Sequence, residues 1–440
     1  MKNPNIKIKV VVQAKKENVP GWPHINFDYL KETERVMACV KAGNPETEFD
    51  VVKYTAVAEA EADYQADLEK YSGVLVLEMT NWIGLDAFYA RKSLDGIPCV
   101  IADVPFCGSG SILSGASPMV RSEKLPVPII ASSNYNDIAR GAKLLAVNEK
   151  LKNTTILVVK NSVQNDEQKA ATEKWGCKFI NKTAADLIKI FDSVPLEKAE
   201  KTAKCWKESA LGVIEPSDAD ILESAKLYHA IKEMKEEYSA DAVTIDCLGL
   251  SYNNDYGNNK HMYPCLSYYQ MCSDGEIGVC EADIDSTISS IIILYLTGRY
   301  GFVSDPVVDT SSGEITYAHC VACRKLFGRD DPRTCSFYIR SHAEDQQGAS
   351  VQVIFPSGEK LTTINMNNKA NWACVHSARS IGNAGGDAGC RSKLVASCNA
   401  DNLLVNWMPM WHRVTVFGDY RRDFVNLFKL KGFDWKEEDK

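Results

Sequence analysis

The sequence predicts an α/β protein in which two parallel-sheet domains are followed by a mostly β C-terminal domain. Over the first two thirds of the 440 residues, β-branched runs of strand length alternate with charged stretches of helical length. This alternation is typical of βαβ units and a parallel sheet. After about residue 300 helical stretches become scarce and strand-like runs follow one another, as in a β sandwich or barrel.

The first domain is predicted over residues 1–127 and the second over 128–299, both Rossmann-like. The boundary is a Gly-, Ser- and Pro-rich interval at 107–128 that interrupts the alternation. Strands are predicted at 7–13, 48–54, 73–79 and 97–103, and then in TTILVVK and AVTIDCL. The third domain, 300–440, is predicted from runs such as EITYAHCVAC, SVQVIF and EKLTTINM.

Composition narrows the range of partners. The net charge is −8 with Lys and Arg scattered along the chain, which disfavours nucleic acid or an anionic membrane as the main partner. The N-terminal apolar run is too short for a signal peptide, and ISSIIILYL is about half of a membrane span. Fifteen cysteines without an export signal predict free thiols and a cytoplasmic location.

The stretch CEADID, residues 280–285, places three acids directly before the most apolar predicted helix. In an extended backbone Glu281, Asp283 and Asp285 would share one face, and Asp285 or Ser286 would cap the helix. Capping does not explain Glu281. Ligands of open α/β sheets lie beyond the carboxyl ends of the strands, so a functional role and a structural role for these acids both stay open.

Two later residues carry further candidate chemistry. Asp305 precedes a proline in GFVSDP, where a plain turn is the usual explanation and an extended or turn conformation is expected. His412 begins the apolar run HRVTVFGDY, where a buried core histidine is the usual explanation. Taken singly, neither residue indicates a site.

Taken together, these segments resemble the L-fucose/L-arabinose isomerase family. The resemblance covers most of residues 240–440 and is carried by PCLSYYQMCSDGEIGVCEADID, GFVSDP, AHC and HRVTVFGDY. It implies a metal site formed by Glu281, Asp305 and His412, with Glu281 and Asp305 also catalytic. Two carboxylates and one imidazole suit Mn²⁺, or another divalent cation such as Mg²⁺.

The implied reaction is the interconversion of an aldose and a ketose through an enediol, with a sugar as the small-molecule partner. His319 in AHC either matches an extra histidine ligand of the arabinose branch or lies behind the metal ligands. The position behind the ligands is favoured. Trp411 occupies the position where the resemblance leads us to expect an amide side chain. The resemblance therefore does not identify which sugar is the substrate. Trp22 and Trp82 are further candidates for sugar contacts, or for contacts between subunits of a hexamer or trimer.

Other interpretations stay open. A non-catalytic sugar-binding or regulatory protein could share the fold, and related metal–enediolate chemistry could act on a modified or acidic sugar. Cys320 and Cys323 form a C-x-x-C pair, but a zinc site would need a second ligand pair. The glycines of CGSGSILSG lack the spacing of a dinucleotide-binding loop.

Overall fold

The computed structural model describes residues 5–162 and 166–440. These residues form two compact units. The N-terminal unit comprises residues 5–152 and 422–434, and the C-terminal unit comprises residues 153–162, 166–421 and 435–440. The segments predicted as a central α/β domain and a β domain therefore lie largely within one compact unit.

The N-terminal unit is built on a parallel sheet with the strand order β2-β1-β3-β4-β5, the order of flavodoxin-like sheets. The sheet strands are β1 (Ile6–Gln13), β2 (Thr47–Tyr54), β3 (Gly73–Glu78), β4 (Cys99–Asp103) and β5 (Ile129–Ala131). The helices are α1 (Tyr29–Gly43), α2 (Val57–Lys70), α3 (Leu85–Lys92), α4 (Ser109–Ser111), α5 (Ser117–Ser122) and α6 (Tyr135–Lys152). A π-helical segment, Ile112–Ala116, joins α4 to α5.

The central strands β3 and β4 are apolar up to their last residues, Glu78 and Asp103, as expected for strands covered by helices on both faces. β3 and β4 are buried at every residue, and α6 packs against β1, β3 and β4. β5, which follows the boundary predicted at residue 127, pairs with β4 in this same sheet.

The C-terminal unit contains a second parallel sheet with the order β7-β6-β8-β9. Its strands are β6 (Thr155–Val159), β7 (Lys178–Lys182), β8 (Ala242–Ile245) and β9 (Ile277–Cys280). Its helices are α7 (Asp166–Trp175), α8 (Ala184–Ser193), α9 (Leu196–Ser209), α10 (Asp218–Glu237), α11 (Cys247–Tyr252), α12 (Cys265–Ser273) and α13 (Ile284–Thr297).

An antiparallel barrel follows in the same unit. Its strands are β10 (Phe302–Asp309), β11 (Glu314–His319), β14 (Lys360–Asn367), β15 (Trp372–Asn383), β16 (Ser392–Ser397) and β17 (Arg413–Phe417). The order β14-β17-β10-β11-β16-β15, with β15 also paired to β14, closes the barrel. The remaining elements of this unit are the paired strands β12 (Phe337–Arg340) and β13 (Ser350–Val353), the helix α14 (Ala400–Asn406), and β18 (Asp434–Glu437), which borders β15. The helix α15 (Arg421–Leu430) belongs almost entirely to the N-terminal unit.

One hydrophobic core serves both sheets of the C-terminal unit. Buried side chains from β6 and β8, from the helices α8 to α12, and from barrel strands such as β11 and β16 belong to the same cluster. The prediction of α/β units followed by a mostly β region is confirmed at this level, and the shared core explains why the parallel sheet and the barrel form one unit.

Candidate metal centre

Glu281 directly follows β9 at the carboxyl end of the parallel sheet, where the sequence places a site. The expected extended backbone is wrong here, because Glu281 and Ala282 have φ values of 65° and 51°. Left-handed conformations are uncommon for residues other than glycine and often occur at functional sites. This turn sends the Glu281 side chain in a different direction from the acids that follow.

The three acids of CEADID therefore have separate partners. Asp283 is the N-cap of α13 and accepts hydrogen bonds from the Ser286 amide at 2.9 Å and the Ser286 hydroxyl at 2.7 Å. Asp285 accepts from the backbone and side-chain amides of Asn368 at 3.2 and 2.7 Å. The predicted cap at Asp285 or Ser286 is wrong, because the left-handed turn lets the helix begin at Ile284.

Strand register in the barrel gathers the other candidates. Asp305 lies within β10 and pairs with Ala318 of the neighbouring strand β11. His319, the next residue of β11, is therefore close to Asp305. On its other side, β10 pairs with β17 through Ser304 and Arg413. Asp305 is therefore in the extended conformation expected before proline, and His412 lies beside it immediately before β17.

The side chains of these residues face one another. His412 Nε2 lies 3.5 Å from Glu281 Oε2 and 3.2 Å from Asp305 Oδ1. His319 Nε2 lies 3.5 Å from Glu281 Oε1. Ligating atoms of Glu281, His319 and His412 all lie within 4.8 Å of one another. The structure thus brings together the predicted trio, Glu281, Asp305 and His412, and places His319 directly against Glu281.

Several polar atoms in this group are buried without a hydrogen-bond partner. They are Asp305 Oδ1, both ring nitrogens of His319, and His412 Nε2. Buried polar atoms in folded proteins are nearly always hydrogen-bonded or bound to an ion. Oxygen and imidazole nitrogen donors that converge in this way suit a divalent cation such as Mn²⁺ or Zn²⁺, so the residues fit the metal that the resemblance implies.

The electrostatics of the group follow from this proximity. Burial disfavours the protonated form of His412, but its hydrogen bond to Asp283 and the nearby carboxylates of Asp305 and Glu281 prevail and raise its pKa to about 10. Burial likewise opposes protonation of His319, whose pKa is nevertheless raised by Glu281 and Asp305. Burial would raise the pKa of Asp305, but the two histidines lower it overall. The acids of the group therefore favour protonated histidines beside them, and a bound cation would supply that positive charge instead.

Asp283 has a role that the sequence did not reveal. Its Oδ2 accepts a hydrogen bond from His412 Nδ1 at 2.7 Å, which leaves Nε2 directed at Glu281 and Asp305. A carboxylate that holds the second nitrogen of a ligand histidine fixes the orientation and tautomer of the ring. The available signal was its position before the apolar run, which is that of an N-cap.

Cys390 also contacts the group, since its Sγ donates to Asp305 Oδ2 at 3.7 Å. It follows the glycine-rich segment NAGGDAG, and nothing in the sequence pattern connects it to Asp305.

The aromatic candidates lie at exposed positions. Trp411, next to His412, is 66% exposed. Trp22 and Trp82 belong to the N-terminal unit, are 51% and 67% exposed, and lie after β1 and β3 respectively. Trp82 is also left-handed, with a φ of 64°.

The C-x-x-C pair does not form a second metal site within the described residues. Cys320 and Cys323 are buried free thiols. In residues 5–162 and 166–440, the close group of three or more metal-ligating side chains is Glu281, His319 and His412. All fifteen cysteines are free, as the sequence predicts. No helix in the described part of the chain has the length and apolar character needed to cross a membrane.

Comparisons with known proteins assign no family. No family model matches the chain, and no curated protein does. One solved structure, titled as a two-component system response regulator/GGDEF domain protein, aligns with 66% of this chain and 97% of its own at 12% identity. Its TM-score of 0.28 is too low to support an inference about fold or function. The geometry of the candidate metal centre is therefore the feature of this protein that points to a function.

Proposed function

We propose that this protein is a metal-dependent ketol isomerase of the L-fucose/L-arabinose isomerase type, acting on an open-chain sugar. The observation that carries the proposal is the convergence of Glu281, Asp305, His319 and His412, several of whose facing atoms are buried without a hydrogen-bond partner. The strand orders of the two parallel sheets and the barrel that follows them are consistent with the Rossmann-like fold that the resemblance implies.

The residues of this group match the needs of the reaction. A bound Mn²⁺, or another divalent cation, would polarise the sugar carbonyl and stabilise negative charge on its oxygens. A carboxylate must remove the proton from C2 of the aldose and return a proton to C1, while the O2 proton moves to O1. Glu281 and Asp305 are the carboxylates among the candidate cation ligands, so we assign this proton transfer to them.

The site is accessible enough to admit a substrate. The side chains of Glu281 and Asp305 are 31% and 23% exposed to solvent, whereas those of His319 and His412 are 5% and 7% exposed. The histidines are thus held in the protein, whereas the two acidic side chains stay partly exposed. Exposed Trp411, adjacent to His412, is the aromatic residue of this unit best suited to stack on a sugar.

We also propose a homo-oligomer, either a hexamer or a trimer. The N-terminal unit exposes large apolar side chains on the loops that follow the carboxyl ends of β1, β3 and β4. They are Trp22, Trp82, Phe106 and, in the π-helical segment, Leu113. Exposed apolar groups of this size usually mark an interaction surface. A second copy of the chain is the proposed occupant, with Trp82 or Trp22 reaching the site of that copy.

The decisive experiment follows hydrogen exchange in D₂O. Metal-depleted protein is incubated with a panel of aldoses and ketoses, with and without Mn²⁺, and the products are read by NMR. An isomerase acting through an enediol converts one sugar of the panel and incorporates deuterium at C1 or C2 only with metal. Metal and sugar binding without exchange would instead indicate a non-catalytic sugar-binding protein.

The assembly is tested separately by light scattering. A mass of 48.8 kDa at working concentration, with full activity, would contradict the oligomer. In that case the Trp22 and Trp82 loops would have to act within their own subunit. The expected result is a multiple of that mass which decreases in the double variant Trp22→Ser/Trp82→Ser.

A further inference from the structure

A buried ion pair lies next to the candidate metal centre in sequence. Arg413, which follows His412, is fully buried, and so is Glu438. Arg413 Nη2 lies 2.6 Å from Glu438 Oε1. Burying two charges costs more than their attraction usually returns, so a pair of this kind does not by itself stabilise a fold. The surrounding hydrogen bonds indicate what the pair does.

Both charged groups are fully engaged by neighbouring atoms. Glu438 Oε1 accepts from the Met408 amide at 2.8 Å, and Oε2 accepts from His376 Nδ1 at 2.9 Å. Arg413 donates to the carbonyls of Met408 at 3.0 Å, Met410 at 2.8 Å and His412 at 3.0 Å. Apart from its bonds to Glu438, the guanidinium thus directs its hydrogen bonds to the backbone of residues 408–412.

That backbone needs support because residues 407–412 form no helix or strand between α14 and β17. The His412 carbonyl accepts from Asn365 Nδ2 at 2.7 Å as well as from Arg413. The Arg413 guanidinium also lies 3.8 Å from the centre of the Trp407 ring. The irregular segment that presents His412 is therefore held mainly by Arg413, and Arg413 is held by Glu438.

We propose that Glu438 is a positioning residue for the candidate metal centre. It fixes Arg413, which fixes the backbone of residues 408–412 so that His412 Nε2 faces Glu281 and Asp305. This inference rests on the proposed metal-dependent function, because its readout is the affinity for a cation. It assigns to Glu438, which does not itself face the candidate ligand atoms, a role in the precision of the site.

The test is Mn²⁺ affinity, measured by calorimetry on folded protein, in Glu438→Gln. Glutamine keeps the size of the side chain but removes the charge that holds the guanidinium. We expect Mn²⁺ binding about 10-fold weaker than in the wild type, the lower end of the effect seen when groups that orient metal ligands are changed. Circular dichroism establishes the temperature range in which the variant is folded.

The matched control removes one charge from a different buried ion pair. In the N-terminal unit, Lys9 Nζ lies 2.6 Å from Asp67 Oδ2, and both side chains are buried. Asp67→Asn is expected to lower thermal stability without changing Mn²⁺ affinity. An equal loss of Mn²⁺ affinity in Asp67→Asn and Glu438→Gln would mean that destabilisation alone explains the effect, and would overturn the inference.

A second variant keeps the test valid where Glu438→Gln does not fold. Arg413→Lys retains the charge opposite Glu438 but cannot reach three carbonyls at once, so the same loss of Mn²⁺ affinity is expected. Mn²⁺ binding equal to wild type in Arg413→Lys or in folded Glu438→Gln overturns the positioning role. Absence of Mn²⁺ binding in the wild type would instead contradict the proposed metal centre itself.

Discussion

The carboxyl ends of the two parallel sheets offer a comparison within one chain. In the N-terminal unit, Glu78 and Asp103 end neighbouring strands, and Asp86 lies nearby in α3. All three are buried. In the C-terminal unit, Glu281 follows β9 in the equivalent position. Both sheet edges thus gather buried or half-buried acids where α/β proteins commonly bind ligands.

The two groups of acids differ in their partners. Glu78 is fully buried, and neither of its carboxylate oxygens has a hydrogen-bond partner. Burial, together with the charges of Asp86 and Asp103, raises its pKa to about 10, so it is neutral near pH 7. Glu281 instead lies 3.5 Å from an imidazole nitrogen of each of two histidines.

This difference shows that acids at a sheet edge do not by themselves make a metal site. The histidines that complete the group around Glu281 come from the barrel, where antiparallel register places His319 and His412 on either side of Asp305. In the N-terminal unit, the charged neighbours that raise the pKa of Glu78 are the acids Asp86 and Asp103. Four substitutions test whether the chemistry is confined to one of the two sheets.

The largest effect is expected for Glu281→Gln. The substitution keeps the size of the side chain but removes its charge and basicity, so turnover should decrease by at least about 10²–10⁴-fold, the usual cost of losing a general base. Mn²⁺ binding should weaken as well. Steady-state kinetics and calorimetry measure both quantities.

Glu78→Gln is the control for that experiment, because it makes the same chemical change at the other sheet edge. It should leave kcat within about 2-fold of wild type, as expected for a residue with no part in proton transfer. Near-normal turnover in Glu281→Gln would contradict the catalytic assignment and the proposed family relationship together.

A smaller effect is expected for Asp283→Asn. Asparagine can still cap α13 but no longer offers a charged acceptor to His412 Nδ1, so the ring loses the partner that orients it. Mn²⁺ affinity should decrease by about 10- to 100-fold. Asp285→Asn, two residues away and hydrogen-bonded to Asn368 instead, should leave Mn²⁺ affinity unchanged. Equal losses in the two variants would show that the change acts through the helix.

The smallest effect concerns stability and its dependence on pH at the edge formed by Glu78. The pKa of this group is raised in the folded state, so its contribution is fully present below its unfolded pKa of about 4.5 and is lost as pH rises toward about 10. Glutamine does not ionise, so the Glu78→Gln variant does not lose this stability as the pH rises. The variant should gain free energy of unfolding at pH 8, up to a limit of about 5 kcal/mol, since the roughly 3.5 units between the unfolded pKa and pH 8 each correspond to about 1.4 kcal/mol.

Chemical denaturation of both proteins at pH 5 and pH 8 measures the difference. The gain should be smaller at pH 5, where the unfolded glutamate is itself partly protonated. A variant that is less stable than the wild type at pH 8, or equally changed at the two pH values, would show that Glu78 is not held neutral by burial.

The sequence by itself determined the order of the elements and the positions of the candidate ligands. Alternating β-branched runs and helical stretches predicted the α/β units, because these periodicities depend only on which side chains are buried. Asp305 and His412 were identified through the resemblance to the isomerase family, and the structure brings these two residues together, with Glu281 also close to His412.

Only the tertiary structure decided how the acids of CEADID divide their roles. Alternation predicted one shared face, but the backbone is left-handed at Glu281 and Ala282, and Asp283 accepts a hydrogen bond from His412, which lies more than a hundred residues away. Glu438 reaches Arg413 from a distant part of the chain. Long-range contacts of this kind follow from strand register and packing, which no pattern of neighbouring residues encodes.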